Sequence, residues 1–241
     1  MVIAWMTIAA TARPARADGS VAGAEIAARL GYGLPLGDVE SHKGFAGSVG
    51  DPLDQTIGAM VPLWFDVGYR FGPRWFGGVF LAYAPGVPGD ALFNACSGAG
   101  ATGCSPDDFR AGLEVQFHLL PEGHWDPWLG AGLGYEWLHV GFGAGTKPLW
   151  ASGFELLNLQ AGLDARLSSR VALGPFVALT AAEYSWNDPL PSSNTFDSTA
   201  LHGWFVVGVR VVFDCASRAP DPAKSRGVSS EHPKREGQTP Y

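Results

Sequence analysis

Residues 204–213 read Trp-Phe-Val-Val-Gly-Val-Arg-Val-Val-Phe, and taken two at a time they separate cleanly. Phe205, Val207, Val209, Val211 and Phe213 share one face of an extended chain, while Gly208 and Arg210 share the other. A strand that is wholly apolar on one side and Gly-plus-charge on the other suits a wall between hydrocarbon and a polar interior. One such strand constrains little. Eight of them constrain the whole fold.

Seven further segments repeat the pattern. The first sets Ala24, Ile26, Ala28, Leu30, Tyr32 and Leu34 against Glu25, Arg29, Gly31 and Gly33. The second sets Leu63, Phe65, Val67, Tyr69 and Phe71 against Trp64, Asp66, Gly68 and Arg70. In the third, Trp75, Val79, Leu81 and Tyr83 oppose Phe76, Gly78, Phe80 and Ala82. The fourth opposes Phe109 through Leu119, on odd positions, to Arg110, Gly112, Glu114, Gln116 and His118. The fifth carries Leu129, Leu133, Tyr135 and Trp137 opposite Gly130, Gly132, Gly134 and Glu136. The sixth places Leu157, Leu159, Leu163 and Leu167 opposite Asn158, Gln160, Gly162, Asp164 and Arg166. The seventh, from about Val171 to Tyr184, is interrupted by Pro175 and Glu183. Lengths near 10 residues suit strands tilted across a bilayer.

The connections alternate as well. Gly72-Pro73-Arg74, the link from Pro121 to Pro127 and Ser168-Ser169-Arg170 are short, whereas those near 35–59, 84–108, 141–153 and 185–199 are long and polar. That alternation predicts an all-β, eight-stranded antiparallel up-and-down transmembrane β-barrel, with tight periplasmic turns, long extracellular loops and both termini periplasmic. No run of 18 apolar residues offers a membrane helix. Only 16% of residues are charged, against about 25% in soluble domains. The net charge of −7 argues against nucleic acid as a partner. Residues 1–17 read as an export signal ending at Ala15-Arg16-Ala17, 18–213 as the barrel, and 214–241 as a flexible periplasmic tail. Cys96 and Cys104 are expected to close a disulfide in the second long loop; Cys215 is left over.

A soluble lipocalin-type barrel would share the alternation with its faces reversed. It would then place eight glycines on water-facing strand positions, where they weaken strands to no purpose. In the membrane reading they line a narrow lumen together with Glu25, Arg29, Asp66, Arg70, Arg110, Glu114, Glu136, Asp164, Arg166 and Arg210, five acids and five bases that can pair to near neutrality. Inward Trp64, Phe76, Phe80 and Phe176 then predict a plugged lumen, because eight strands enclose little more than their own side chains.

Taken together the chain, over roughly residues 22–213, resembles the OmpA/OmpX-like family of small outer-membrane barrels. The resemblance implies an insertion signal at Gly208, Val211 and Phe213, read by the barrel-insertion machinery. It also implies outer-membrane lipid as surroundings, an extracellular ligand taken by the loops, and no cofactor or metal. A structural or surface-interaction role is expected, with a narrow channel as the alternative. Similar barrels include lipid A-modifying enzymes, which need an activated Ser near a His and an acid at the outer rim. Ser41 with His42, His139, and Asp197 with Ser198 and His202 are the candidates. None forms a His-x-Ser pair on a lipid-facing strand end, so catalysis is not expected.

Overall fold

The computed structural model describes residues 22–44, 47–98, 103–142, 148–187 and 201–215, and within them the alternating segments are strands of one antiparallel ring. In chain order these are β1 (Gly23–Gly44), β2 (Gly47–Pro52), α1 (Leu53–Thr56), β3 (Ile57–Met60), β4 (Leu63–Phe71) and β5 (Trp75–Pro88). They continue with α2 (Asp90–Gly98), β6 (Cys104–His118), β7 (Trp125–Phe142), β8 (Leu149–Arg166), β9 (Val171–Asn187) and β10 (Leu201–Asp214).

Each ring strand pairs with its neighbour in sequence, from β4 through β10, and β1 pairs with both β4 and β10. The seam between first and last strands runs from Glu25 opposite Asp214 to Gly37 opposite His202. Eight strands therefore close on themselves, which leaves no unpaired edge to satisfy inside a bilayer. β3 continues β4 past Val61-Pro62 and bridges β1 and β5.

Short and long connections alternate as expected. The β4–β5 turn is tight because Gly72 takes a φ of +78°, which a side chain would resist. The strands themselves are longer than the 10 residues expected. β1 has 22 residues, β7 and β8 have 18 each, and β9 has 17. Most of the extra length lies at the long-loop end, so residues 35–44, 84–88 and 104–108, expected in loops, are paired strand. Ladder pairing outweighs the Gly, Pro and Asp content that suggested loops, since each neighbour supplies a partner for the backbone polar groups.

Parity decides which side chain goes where. Leu113, Leu133 and Val209 are 59%, 60% and 52% exposed on the outer wall, while Arg29, Arg110 and Arg210 inside are 1%, 0% and 0% exposed. This is the reverse of a lipocalin. Aromatic residues gather on the outer wall in two belts, Phe71, Trp75, Phe117 and Phe213 toward the short turns, and Tyr32, Tyr83, Phe109 and Trp137 toward the long loops. Trp75 against Phe117 (4.8 Å) and Phe109 against Trp137 (5.5 Å) are cross-strand contacts within them. Residues 1–17, assigned to an export signal, and 216–241 of the expected tail lie outside the described residues.

Candidate functional site: a sealed polar lumen

The interior is organised in three charged tiers separated by aromatic rings. At the short-turn end, Arg70 Nε donates to Glu25 at 2.7 Å and Arg210 Nη2 donates to the same carboxylate at 3.2 Å. Arg210 also lies 3.6 Å from Asp164. His118 Nδ1 is 2.8 Å from Asp126, and its Nε2 is 3.2 Å from Arg70. Midway, Arg29 donates to Asp66 (2.6 Å), Glu114 (3.0 Å) and Gln160 (2.6 Å). Gln116 and Gln160 donate in turn to Glu114 at 2.7 and 3.0 Å. At the long-loop end, Arg110 lies 2.8 Å from Asp108 and 3.7 Å from Glu155. Glu136 there accepts from Tyr184 Oη and Trp204 Nε1 at 3.0 and 3.1 Å, with His202 Nε2 at 3.2 Å.

Two tryptophans knit the tiers together. Trp128 lies between Arg210 (4.4 Å to the ring centroid) and Arg29 (5.5 Å), and Trp64 between Arg29 (5.2 Å) and Arg110 (5.5 Å). The resulting order down the axis is Arg210, Trp128, Arg29, Trp64, Arg110. Each contact sets a guanidinium against the negative face of a ring, worth about 0.5–2 kcal/mol. Lumen glycines make the space for these rings. A Cβ on Gly162 would come within 2.6 Å of the Trp128 indole, and one on Gly112 within 2.5 Å of Phe80.

Of the ten charges read as a lumen network, Glu25, Arg29, Asp66, Arg110, Glu114, Glu136, Asp164 and Arg210 are buried, and the Arg70 side chain is 11% exposed. Arg166 sits at the rim, where it donates to the Pro121 carbonyl at 2.6 Å. Three further buried carboxylates, Asp108, Asp126 and Glu155, join the five assigned acids. Asp108 falls on the extended part of β6 that its polar neighbours disguised. Glu155 is turned inward by a bulge at Leu156–Leu157 that resets the parity of β8. A bulge signal was available in the adjacent Leu156 and Leu157, which break strict alternation.

The mouth at the long-loop end is also occupied. Leu53, Ile57 and Met60 are buried in the same apolar cluster as Trp64 and Trp204, and Arg110 Nη2 lies 3.9 Å from Met60 Sδ. The first long connection therefore folds over the interior, and the second joins it: Gly89 N donates to the Thr56 carbonyl at 2.9 Å. Cys96 and Cys104 form a disulfide that ties α2 to the start of β6. Cys215 is an exposed thiol beyond β10.

The other sequence-derived candidates are placed as follows. Phe213 faces outward and Gly208 inward on β10, with Val211 half-buried between the two. His202 is inside, stacked on Tyr184 at 3.8 Å, and not at a lipid-facing edge. His139 is on the outer wall, with Asp107 at 3.0 Å. Asp197, Ser198 and the side chains of Ser41 and His42 lie outside the described residues. No group of metal ligands occurs among the described residues.

A closed ring with hydrocarbon-like side chains outside and ion pairs inside has one environment that satisfies both surfaces. It is a small eight-stranded transmembrane β-barrel. Solved structures of similar build include Neisserial surface protein A (14% identity, 79% of this chain and 97% of that one, TM-score 0.48). OprG from Pseudomonas aeruginosa (15%, 80% and 97%, TM-score 0.44) and Ail of Yersinia pestis (14%, 79% and 99%, TM-score 0.39) are others. No described protein family and no curated protein matches the sequence. The likeness is one of architecture; ring closure and the inverted faces of this chain carry the assignment.

Proposed function

We propose that the protein acts from its surface and not through its lumen, as a structural or surface-interaction component of the outer membrane. The long loops then face outward, both termini lie in the periplasm, and Gly208, Val211 and Phe213 serve the insertion machinery. The observation that carries this reading is the middle tier. Arg29, Asp66, Gln116, Trp64 and Phe80 are each 0–1% exposed, so a water-sized sphere does not reach the axis at mid-height. An aqueous conduit needs those groups wet, and here Arg29 is bonded to Asp66 and Gln116 to Glu114, with the Trp64 and Phe80 rings packed against each other beside them.

The test is reconstitution of the full chain into planar bilayers. Conductance indistinguishable from bare lipid is expected. Stable, stepwise openings would overturn the sealed-lumen reading and favour a narrow channel instead. Orientation is checked separately by protease added to intact cells. Cleavage within the connections read from the sequence near 84–108 or 185–199, with the termini protected, is the expected result.

A further inference from the structure

A groove crosses the outer wall from β7 to β10. Ala161 forms its floor, paired with Leu129 on one side and Val177 on the other. Leu159, Leu179 and Phe205, paired in the next row toward the long loops, form its upper bank. The five larger side chains are 39–55% exposed, so the depression between them opens outward. Its volume is about 390 Å³ and its lining is almost wholly apolar. Three strand spacings of about 4.8 Å carry it about 14 Å across the wall. That is comparable with half of an apolar band about 25 Å tall, the depth one acyl chain fills.

Beyond the groove, parity puts a charge where the wall is otherwise apolar. On β9 the outward series runs Val177, Leu179, Ala181 and then Glu183, which is half-buried. Glu183 pairs with Phe154 on β8 and Leu201 on β10, side chains 61% and 63% exposed. Phe154 pairs in turn with Tyr135, whose ring lies 4.7 Å from that of Trp137 in the upper aromatic belt. The carboxylate therefore stands at the headgroup boundary. No described residue donates to it or forms an ion pair with it. Residues 149–165, 171–187 and 201–209 contain no Lys or Arg. Between groove and carboxylate, over about 13 Å of strand, the wall is low. Ala181 lies there beside Gly203, where a Cβ would come within 3.6 Å of the Ala181 Cα.

From this arrangement we infer that the β7–β10 face holds one lipid of the surrounding membrane whose head group carries an ammonium. One acyl chain lies in the groove over Ala161, the body of the lipid passes Ala181 and Gly203, and the ammonium pairs with Glu183. The groove is continuous with a wall that already faces hydrocarbon, so a lipid chain is its occupant. The charge beyond it selects the head group. An outward carboxylate without a partner is costly at the edge of a bilayer, and a cation on the lipid relieves that cost. An anionic head group would meet like charge with no Lys or Arg on these strands to offset it. The site lies on the outer wall and is independent of whether the lumen conducts.

The test is native mass spectrometry of the full chain released from nanodiscs made of equal parts phosphatidylethanolamine and phosphatidylglycerol with identical acyl chains. Wild type is expected to retain the ethanolamine lipid about fivefold over the glycerol lipid, the size of one exposed ion pair. Glu183→Gln should retain the two lipids equally. Ala161→Trp, which keeps the outer wall apolar while filling the groove, should lose most of both. Ala111→Trp, the same change on the outer wall of β6, should behave as wild type. Equal retention of the two lipids by wild type, a preference that survives Glu183→Gln, or retention unchanged by Ala161→Trp would overturn the inference. So would a dimer that Ala161→Trp converts to monomer, since the groove would then belong to a second copy of the chain. Because the preference is read on wild type, that arm does not depend on any variant folding.

Discussion

Replacing Arg29 by Met removes the cation that holds the middle tier together, and its cost follows from what is left behind. Arg29 bonds Asp66 at 2.6 Å and Glu114 at 3.0 Å, with all of these side chains fully buried. Breaking a buried pair by deleting one partner costs about 3–5 kcal/mol, because the surviving charge has no water to turn to. Two carboxylates are stranded here, which pushes the value up. Glu114 keeps its bonds from Gln116 and Gln160, which pulls it back, and Met refills part of the volume. A loss of about 4 kcal/mol is expected. With a urea slope of about 2 kcal/mol per molar, the unfolding midpoint should fall by roughly 2 M. Tryptophan fluorescence of the chain in micelles reads the transition, since Trp64 and Trp128 flank the site. Adding Asp66→Asn and Glu114→Gln to Arg29→Met removes the stranded charges and should recover most of the loss. A midpoint shift below about 0.5 M at unchanged slope, or a triple variant no better than the single one, would refute the buried-network account.

Gly162→Ala drives a methyl into the Trp128 indole and should cost about 1–3 kcal/mol in the same assay. Combined with Trp128→Leu the penalty should shrink, since the two changes share one space and are not additive. Cys96→Ser opens a link spanning 8 residues, so it should raise proteolysis near α2 while the heat-dependent gel shift of the folded barrel persists. Phe213→Ser places a polar group on the outer wall at the end of β10. It should lower the amount of protein reaching the outer membrane in cells by more than it lowers refolding yield in micelles; equal losses would assign Phe213 to stability alone.

The wall was legible because parity alone assigns a strand residue to a side. From Leu63 to Phe71 every residue could be placed without knowing any partner. The same rule misled at two kinds of place. On β8 the bulge at Leu156–Leu157 shifts the count by one, so Glu155 points to the interior although the segment read from Leu157 did not include it. On β1 and β6 the chain stays extended through Pro and Asp because neighbouring strands are there to pair with it, which local composition does not express. The mouth was unreadable for a related reason. Leu53, Ile57 and Met60 lie in a polar stretch, and only the folded connection reveals that they seal the interior. The Asp107–His139 pair on the outer wall was likewise hidden. His139 stood out as a candidate, but its acid is 32 positions away and is brought beside it only by the register of β6 on β7.

Closure of the ring by its first and last strands has a consequence for biosynthesis. β1 can meet β10 only once residues 201–214 exist, and until then both β1 and β9 present open ladders. A chain truncated before Leu201 has no smaller barrel to fall back on, because the remaining strands would leave unbonded backbone facing hydrocarbon. Its way to satisfy those groups is to pair with a second truncated copy or with a chaperone in the periplasm. Completion of the last fourteen residues of the wall, from Leu201 to Asp214, therefore acts as a checkpoint on translation: premature stops should yield aggregated or degraded protein in the periplasm and not a weakened membrane form.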